Sequence, residues 1–308
     1  MILSECHLRS STLKAVSTEF DRYSSWLNRQ PLSLQTIRAY RSRIKRFQGF
    51  LEGSGEVLED LLKNERELVH VLRNYKRQLK QIDKASPATV NAHLTAVDHY
   101  LQYLGTKAVE IPREDLPQVA PSALSKDEQV RLLRAVAGCR RSLDRAVVLL
   151  LLYTGIRAGE CAAMDVEDVF VVGRHRKLVV RNGKGDFYRE IPLNSEAAES
   201  IAEWLKDREK RFADKEKDSA LFLNPQGKRM STASLDLIVR KVGQFCGLTL
   251  SCHVLRHTLL TNLVRNGNDL MLVAEIGGHK RLETTKRYTR PSARDRQLAM
   301  ENLCTGER

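Results

Sequence analysis

The stretch "AVEIPREDLPQVAPSAL" sets the architecture of the chain, because Pro112, Pro117 and Pro121 fall close together in it. Proline lacks the amide donor and fixes φ, so neither a helix nor an inner strand runs through such a segment. Strong apolar periodicity stands on both sides of it. The sequence therefore predicts a first domain over residues 13–106, a linker over 107–120 and a second domain over 121–308. With 308 residues in all, each part is long enough to bury a core.

The first part reads as wholly helical. In "LQTIRAYRSRIKRFQGFLE", Ile37, Tyr40, Ile44, Phe47 and Leu51 fall on one stripe at helical spacing. The other face carries Arg38, Arg41, Arg43, Lys45 and Arg46. "SPATVNAHLTAVDHYLQYL" opens on Ser86 as N-cap and Pro87 in the first turn, and Val90, Leu94, Val97, Leu101 and Leu104 line its core side. A helix or helix pair occupies about 56–82, with Leu68, Leu72, Tyr75, Leu79 and Ile82 on its stripe. Together these form a small helical bundle with a basic face.

The second part is mixed. Ser125 caps a helix over 126–138, and a buried helix follows over 142–153. Its apolar run, Ala146 to Tyr153, is far too short to span a bilayer. Short strands are expected at 168–172, 177–181 and 187–191. The last two read as a hairpin in "KLVVRNGKGDFYREIPL" around Asn182-Gly183-Lys184-Gly185. Helices are expected at 194–212, 231–246, 254–265, 269–276 and 291–302. The fold class is mainly α, with an N-terminal helical bundle and a second α+β domain that contains a small antiparallel sheet.

Charge narrows the partners. Lys and Arg number 51 against 38 Asp and Glu, and the excess is larger after residue 120 than before it. Such a balance favours polyanions, nucleic acid first. Cys6, Cys139, Cys161, Cys246, Cys252 and Cys304 include no C-x-x-C pair, so neither a zinc site nor a disulfide framework is indicated. Cys161 and Cys252 are expected in the interior. The opening MILSECHLRS has no apolar run of a signal peptide. A reduced, cytoplasmic setting fits, with no membrane partner.

The tetrapeptide HVLR occurs at His70–Arg73 and again at His253–Arg256. Residues three apart share a helix face, so either copy could grip a phosphate. His70 and Arg73 fall off the apolar stripe, which gives a solvated polar face. The second copy keeps different company. Upstream lies "LLYTGIRAGECAAMD" with Arg157 after a glycine turn, the hairpin tip presents Lys184, and downstream "IGGHKRLETTKRYTRPS" brings His279 and Tyr288.

In these stretches the chain resembles the tyrosine recombinases, the phage-integrase or lambda-integrase type of site-specific recombinase. The matching pieces are Thr154-Gly155-Ile156-Arg157 with Glu160, and Gly183-Lys184-Gly185 with Arg189 and Ile191-Pro192-Leu193. His253-Val254-Leu255-Arg256-His257-Thr258 and Gly278-His279 followed by Thr285 and Tyr288 complete the set. The resemblance covers residues 14–305. It implies a core-binding bundle of SAM-like type and a catalytic domain that close around duplex DNA.

The resemblance also implies roles. Arg157 and Arg256 clamp the scissile phosphate, where two fixed guanidiniums suit the charge that grows in the transition state. Tyr288 is the nucleophile and forms a 3′-phosphotyrosine bond, so rejoining needs no ATP and no cofactor. His253 takes a base-like role, His279 bonds phosphate, and Lys184 protonates the departing 5′ oxygen. Glu160 orients Arg157. No metal is required. His257 makes H-x-x-x-H with His253, but Val254 stands where a metalloprotease needs Glu, so His257 reads as structural.

Val254, Gly277, Cys161, Met164 and Phe187 depart from common family residues without removing a catalytic group. The residues of the basic helix, Arg38 to Arg46, are candidate phosphate contacts. The tail 289–308 is a candidate for exchange between protomers of a tetramer on DNA, with a second recombinase or an accessory protein as a further partner. No extra module precedes the bundle, which points to a simple two-domain recombinase. Dimer resolution, transposon cointegrate resolution, and integration or excision of a mobile element are the expected roles. A non-catalytic DNA-binding protein and a type IB topoisomerase are the alternatives.

Overall fold

A computed structural model describes residues 19–106, 109–116, 122–173, 175–181, 188–213, 218–279, 282–289, 296–297 and 300. The chain divides into two units, Met1–Gln118 and Val119–Arg308. Among the described residues no helix is long and apolar enough to cross a membrane.

The first unit contains α1 (19–27), α2 (Leu34–Ser54), α3 (Leu58–Leu61), α4 (Glu65–Gln81) and α5 (Pro87–Tyr103). Ser33, Asn64 and Ser86 cap the three long helices, each side-chain oxygen accepting from a backbone amide of the first turn. Ile37, Ile44, Phe47 and Leu51 from α2 meet Leu68, Leu72, Tyr75 and Leu79 from α4 and Val90, Leu94 and Val97 from α5 in one core. Ile82, the residue that caps the C-terminus of α4, does not join it and is 74% exposed. Tyr23 bonds His99 Nδ1 at 2.8 Å and Tyr75 bonds His93 Nδ1 at 2.9 Å, so both phenols are satisfied inside the bundle.

The proline-rich stretch has no regular structure over 109–116, yet its first half is pinned to the bundle. Val109 and Ile111 are buried. The Asn91 side chain holds both the N–H and the C=O of Glu114 at 2.8 Å, and the Glu114 carboxylate takes Lys76 and Lys80.

The second unit is built around α7 (Ser142–Thr154), which is buried on all sides. Against it pack α6 (Lys126–Ala137), α9 (Ser195–Arg211), α10 (Thr232–Phe245) and α11 (Cys252–Arg265). Ser125 and Glu128 close a capping box at the start of α6, as expected of that serine. A short α8 (Ala158–Ala163) leads to an antiparallel sheet ordered β1 (Val169–Phe170), β2 (Lys177–Arg181), β3 (Tyr188–Pro192). The chain then runs through α9 to α11, α12 (Leu270–Gly277), α13 (Leu282–Lys286) and a 3₁₀ turn at Arg287–Thr289.

The hairpin expected from the sequence is present as β2 and β3, with Leu178 opposite Ile191 and Val180 opposite Arg189. Its tip, residues 182–187, lies outside the described residues and takes Lys184 with it. The expected helix over 291–302 also lies largely outside them. Cys161 and Cys252 are buried, as anticipated.

Two glycines separate packing from propensity. A Cβ on Gly243 in α10 would stand 2.6 Å from the Leu248 carbonyl oxygen, whereas one on Gly49 in α2 meets nothing within 4 Å. Gly243→Ala is expected to lower unfolding stability by about 1–3 kcal/mol. Gly49→Ala should instead stabilise by about 0.4–1 kcal/mol. Denaturant titration of the full chain checks both, and equal effects at the two positions would contradict the packing described.

Candidate active site

The site forms where α7 gives way to α8. Gly155 ends α7 in the left-handed conformation at φ +60, and a Cβ there would sit 2.9 Å from Leu259. That turn places Arg157 immediately before α8, with its backbone N–H bonded to Glu160 Oε2 at 2.8 Å. The Arg157 side chain also reaches Glu160, at 2.8 Å, and remains 44% exposed.

A second strand of the site comes from β3. Side chains alternate along a strand, and Arg189 lies opposite buried Val180, so it points to the core side of the sheet. A buried guanidinium requires a partner. Arg189 finds Glu160, at 2.8 and 3.1 Å, and both side chains are at most 10% exposed. Burial works to raise the Glu160 carboxyl, but the hydrogen bonds from Arg189 and Arg157 outweigh it and hold the group below its ordinary range.

The third contribution is α11. Ser251 and Asp236 accept from the amides of Val254 and Cys252, which satisfies the first turn. His253, Arg256 and His257 then follow at spacings of three and four on one face. Arg256 and His257 are buried and His253 is exposed. Arg256 donates to the carbonyls of Gly155 and Gly277, and it also donates to His279 Nε2 at 2.8 Å. Burial, then the charge of Arg157, push Arg256 down to about 10, so it stays cationic at neutral pH.

The end of α12 joins these pieces. Three successive carbonyls there take three guanidiniums: Ile276 from Arg189, Gly277 from Arg256 and Gly278 from Arg157. A helix C-terminus carries partial negative charge, which suits cations. Gly278 adopts φ +60, and a Cβ on it would lie 2.7 Å from the Arg189 guanidinium. The next residue, His279, meets Thr285 Oγ1 through Nδ1 at 2.8 Å. Because an arginine only donates, Nε2 is the accepting nitrogen and Nδ1 carries the proton. Burial and the surrounding arginines lower His279 to about 4.

Tyr288 completes the cluster from the 3₁₀ turn. It is 4% exposed and packs with Leu260 and Val273. Its ring stacks on His279 at 5.9 Å, and its hydroxyl meets His257 Nδ1 at 2.8 Å. Burial raises the phenol, while Arg256 and Arg287 pull it the other way.

Of the residues singled out in the sequence, Arg157, Glu160, Arg256, His279 and Tyr288 therefore meet in one place. His253 stands at the rim, its ring 4.0 Å from that of His257. Lys184 lies outside the described residues. Two side chains were underestimated. Arg189 was available from the strand period, since "YREIP" puts Arg189 and Ile191 on the same face. His257, read as structural, is the hydrogen-bond partner of the phenol. Among the described residues no group of His, Cys, Asp and Glu could hold a metal ion.

In the bundle, Arg38, Lys45 and Arg46 are exposed on α2. Arg41 is occupied with the Ser24 carbonyl and Asn28, and Arg46 pairs with Asp83 at 2.7 Å. A longer basic row runs along α4, where Arg66, His70, Arg73, Arg77 and Lys80 are all exposed.

Residues 122–294 match the family described as "Phage integrase family", and residues 20–108 match "Phage integrase, N-terminal SAM-like domain". The chain is 30% identical to tyrosine recombinase XerC of Chlamydia caviae, over 86% of this chain and 91% of the relative. It is 27% identical to tyrosine recombinase XerA of Pyrococcus horikoshii, over 91% and 92%. Among solved structures, the XerH site-specific recombinase bound to palindromic difH substrate, a post-cleavage complex, aligns with a TM-score of 0.70 at 23% identity, covering 92% of this chain and 85% of that one. A lambda integrase dimer bound to a COC′ core site aligns with a TM-score of 0.64 at 17% identity, covering 90% and 96%.

Glu160→Gln leaves Arg189 buried without its counter-charge and is expected to cost about 3 kcal/mol. The carboxyl is held below its ordinary 4.5, so its stabilisation is full above that pH and fades as the pH falls through the folded value. Denaturation of both proteins across pH should show the gap between wild type and variant shrinking below 4.5. A gap under about 1 kcal/mol at neutral pH would mean that the pair is not what holds Arg189.

Proposed function

The chain belongs to the phage integrase family of tyrosine recombinases, enzymes of site-specific DNA recombination, and on that premise we propose how its residues divide the work. The observation that carries the assignment is the meeting of Arg157, Arg256, His279 and Tyr288 in one cluster with buried positive charge. Arg157 and Arg256 hold the scissile phosphate. Both are oriented in advance by helix-end carbonyls, so their donors need little reorganisation as charge develops. Tyr288 Oη attacks phosphorus and the P–O5′ bond breaks. Lys184 supplies the proton to the leaving oxygen. The product is a 3′-phosphotyrosine link, and the reverse reaction with a new 5′ hydroxyl completes strand exchange.

His253 assists on the base side from its place against the His257 ring. His279 bonds phosphate through Nε2 once a bound phosphate favours its protonated form, while Thr285 holds Nδ1. Glu160 and Arg189 position Arg157 and the end of α12. Neither a binding-only protein nor a type IB topoisomerase is favoured, because recombinase relatives match along both units.

The first unit, within the proposed domain at 13–106, contributes phosphate contacts from Arg38, Arg43 and Lys45 on α2 and from the row Arg66–Lys80 on α4. Arg41 and Arg46 serve partly to hold the bundle. The linker at 107–120 joins it to the catalytic domain at 121–308. The working form is a tetramer on paired sites, as in the solved lambda integrase tetramer bound to a Holliday junction, a likeness of fold at 19% identity and TM-score 0.63. Met271 and Leu272 stand exposed on α12 and suit the tail 289–308 of a neighbouring copy. Such a protein works in the cytoplasm, where its DNA is.

The test uses a library of nicked duplexes with a randomised core. Wild type should become covalently attached to a subset of them under denaturing conditions, and sequencing those gives the site. Tyr288→Phe should give no adduct, and Arg256→Ala should slow adduct formation about 10²–10³-fold. Arg73→Ala and Arg77→Ala should each reduce the salt dependence of binding by about one phosphate contact. An adduct that forms equally with Tyr288→Phe would remove Tyr288 from the reaction.

A further inference from the structure

We propose that His257 is the group that takes the phenolic proton of Tyr288 when the nucleophile attacks. The inference rests on the reading of Tyr288 as nucleophile and adds a catalytic residue to it. His257 Nδ1 lies 2.8 Å from Tyr288 Oη, and both side chains are 4% exposed, so water is a poor competitor for that proton. The guanidiniums of Arg256 and Arg287 lie near enough to favour a phenolate. They can only donate, so of these neighbours the imidazole nitrogen is the one able to receive the phenol's proton.

His253 lies on the far side of His257. The His253 ring packs edge to face on His257, with centroids 4.0 Å apart, and His253 is exposed. The order from the interior outward is Tyr288, His257, His253. In cleavage, the Oη–P bond forms, the P–O5′ bond breaks with a proton supplied to O5′ by Lys184, and the Oη proton passes to His257. In rejoining, the phenolate leaves phosphorus and recovers that proton.

The surroundings make the transfer conditional on substrate. Burial comes first among the effects that hold His257 down to about 3, followed by His253, Arg287, Arg256 and His279. Of these, His253 and Arg256 share α11 with it, His279 follows α12, and Arg287 neighbours Tyr288 on the turn. With no phosphate present, imidazole and phenol therefore stay neutral. A phosphate seated between Arg157 and Arg256 offsets part of the cationic contribution and so eases proton transfer to His257, while the effect of burial stays.

His257→Asn tests this, because the amide can still accept a hydrogen bond but cannot take the proton. Single-turnover cleavage of the duplex captured by wild type should fall about 100-fold or more, with DNA affinity and melting temperature retained. The rise of the wild-type rate with pH should lose its histidine inflection. Replacing Tyr288 in the variant by 3,5-difluorotyrosine, a more acidic phenol, should recover about tenfold or more of the loss. A rate within about threefold of wild type, or a loss that the fluorinated tyrosine does not recover, would overturn the proposal. Failure of wild type itself to form an adduct would instead strike at the nucleophile assignment. The free protein then still decides the present point: nitrogen-15 NMR should show His257 Nδ1 unprotonated, and a protonated Nδ1 donating to the phenol would end it.

Discussion

Three guanidiniums converge on the last carbonyls of one eight-residue helix, and the site depends on that arrangement. Arg157 comes from the start of α8, Arg189 from β3 and Arg256 from α11. Nothing local in any of those segments would bring them together. The end of α12 does so because its final carbonyls have no intrahelical partners and carry the negative end of the helix dipole. The αL turn at Gly278 exposes those oxygens in succession, and the lack of a Cβ leaves room for Arg189 beneath it. Fold and site are thus the same interaction seen from two sides.

The charge balance of this cluster suits it to an anion. Glu160 is shared by Arg157 and Arg189, and Arg256 is held by carbonyls and an imidazole. Carbonyl dipoles orient a guanidinium without neutralising it, so positive charge remains buried and uncompensated. Such a site is costly to hold in a folded protein, and that cost falls when phosphate enters. The donors are fixed before the substrate arrives, which is the arrangement that electrostatic stabilisation of a transition state requires.

Much of this was legible in the sequence. Caps at Ser86 and Ser125, the stripes of α2 and α4, the buried α7 and the β2–β3 hairpin all follow from local rules that tertiary contacts reinforce. What was hidden was of two kinds. Helices of six and five residues, α8 and α13, are too short to display a period. The other kind depends on what a side chain meets in space. Ile82 continues a stripe on paper but falls one residue beyond the end of its helix. Arg41 looks like a solvated cation and instead ties down α1. His257 looks structural until Tyr288 is placed against it.

The repeated tetrapeptide gives the sharpest contrast. Within the α4 copy the buried residues are Val71 and Leu72, and His70 and Arg73 face water. Within the α11 copy they are Leu255 and Arg256, one residue further round the helix. A helix packed on one side can leave its arginine outside at no cost. A helix enclosed by α7, α12 and the turn carrying Tyr288 cannot, and must supply acceptors for the guanidinium. Gly155 and Gly277 provide them, since a glycine turn and a helix end are the two places where backbone oxygens are free. The same pairing logic recurs with tyrosine. Tyr23, Tyr75 and Tyr288 each bond a histidine Nδ1, and Tyr288 does so beside the guanidiniums of Arg256, Arg287 and Arg157. The motif and the pair both recur in this chain, and what sets one copy of each apart is its surroundings.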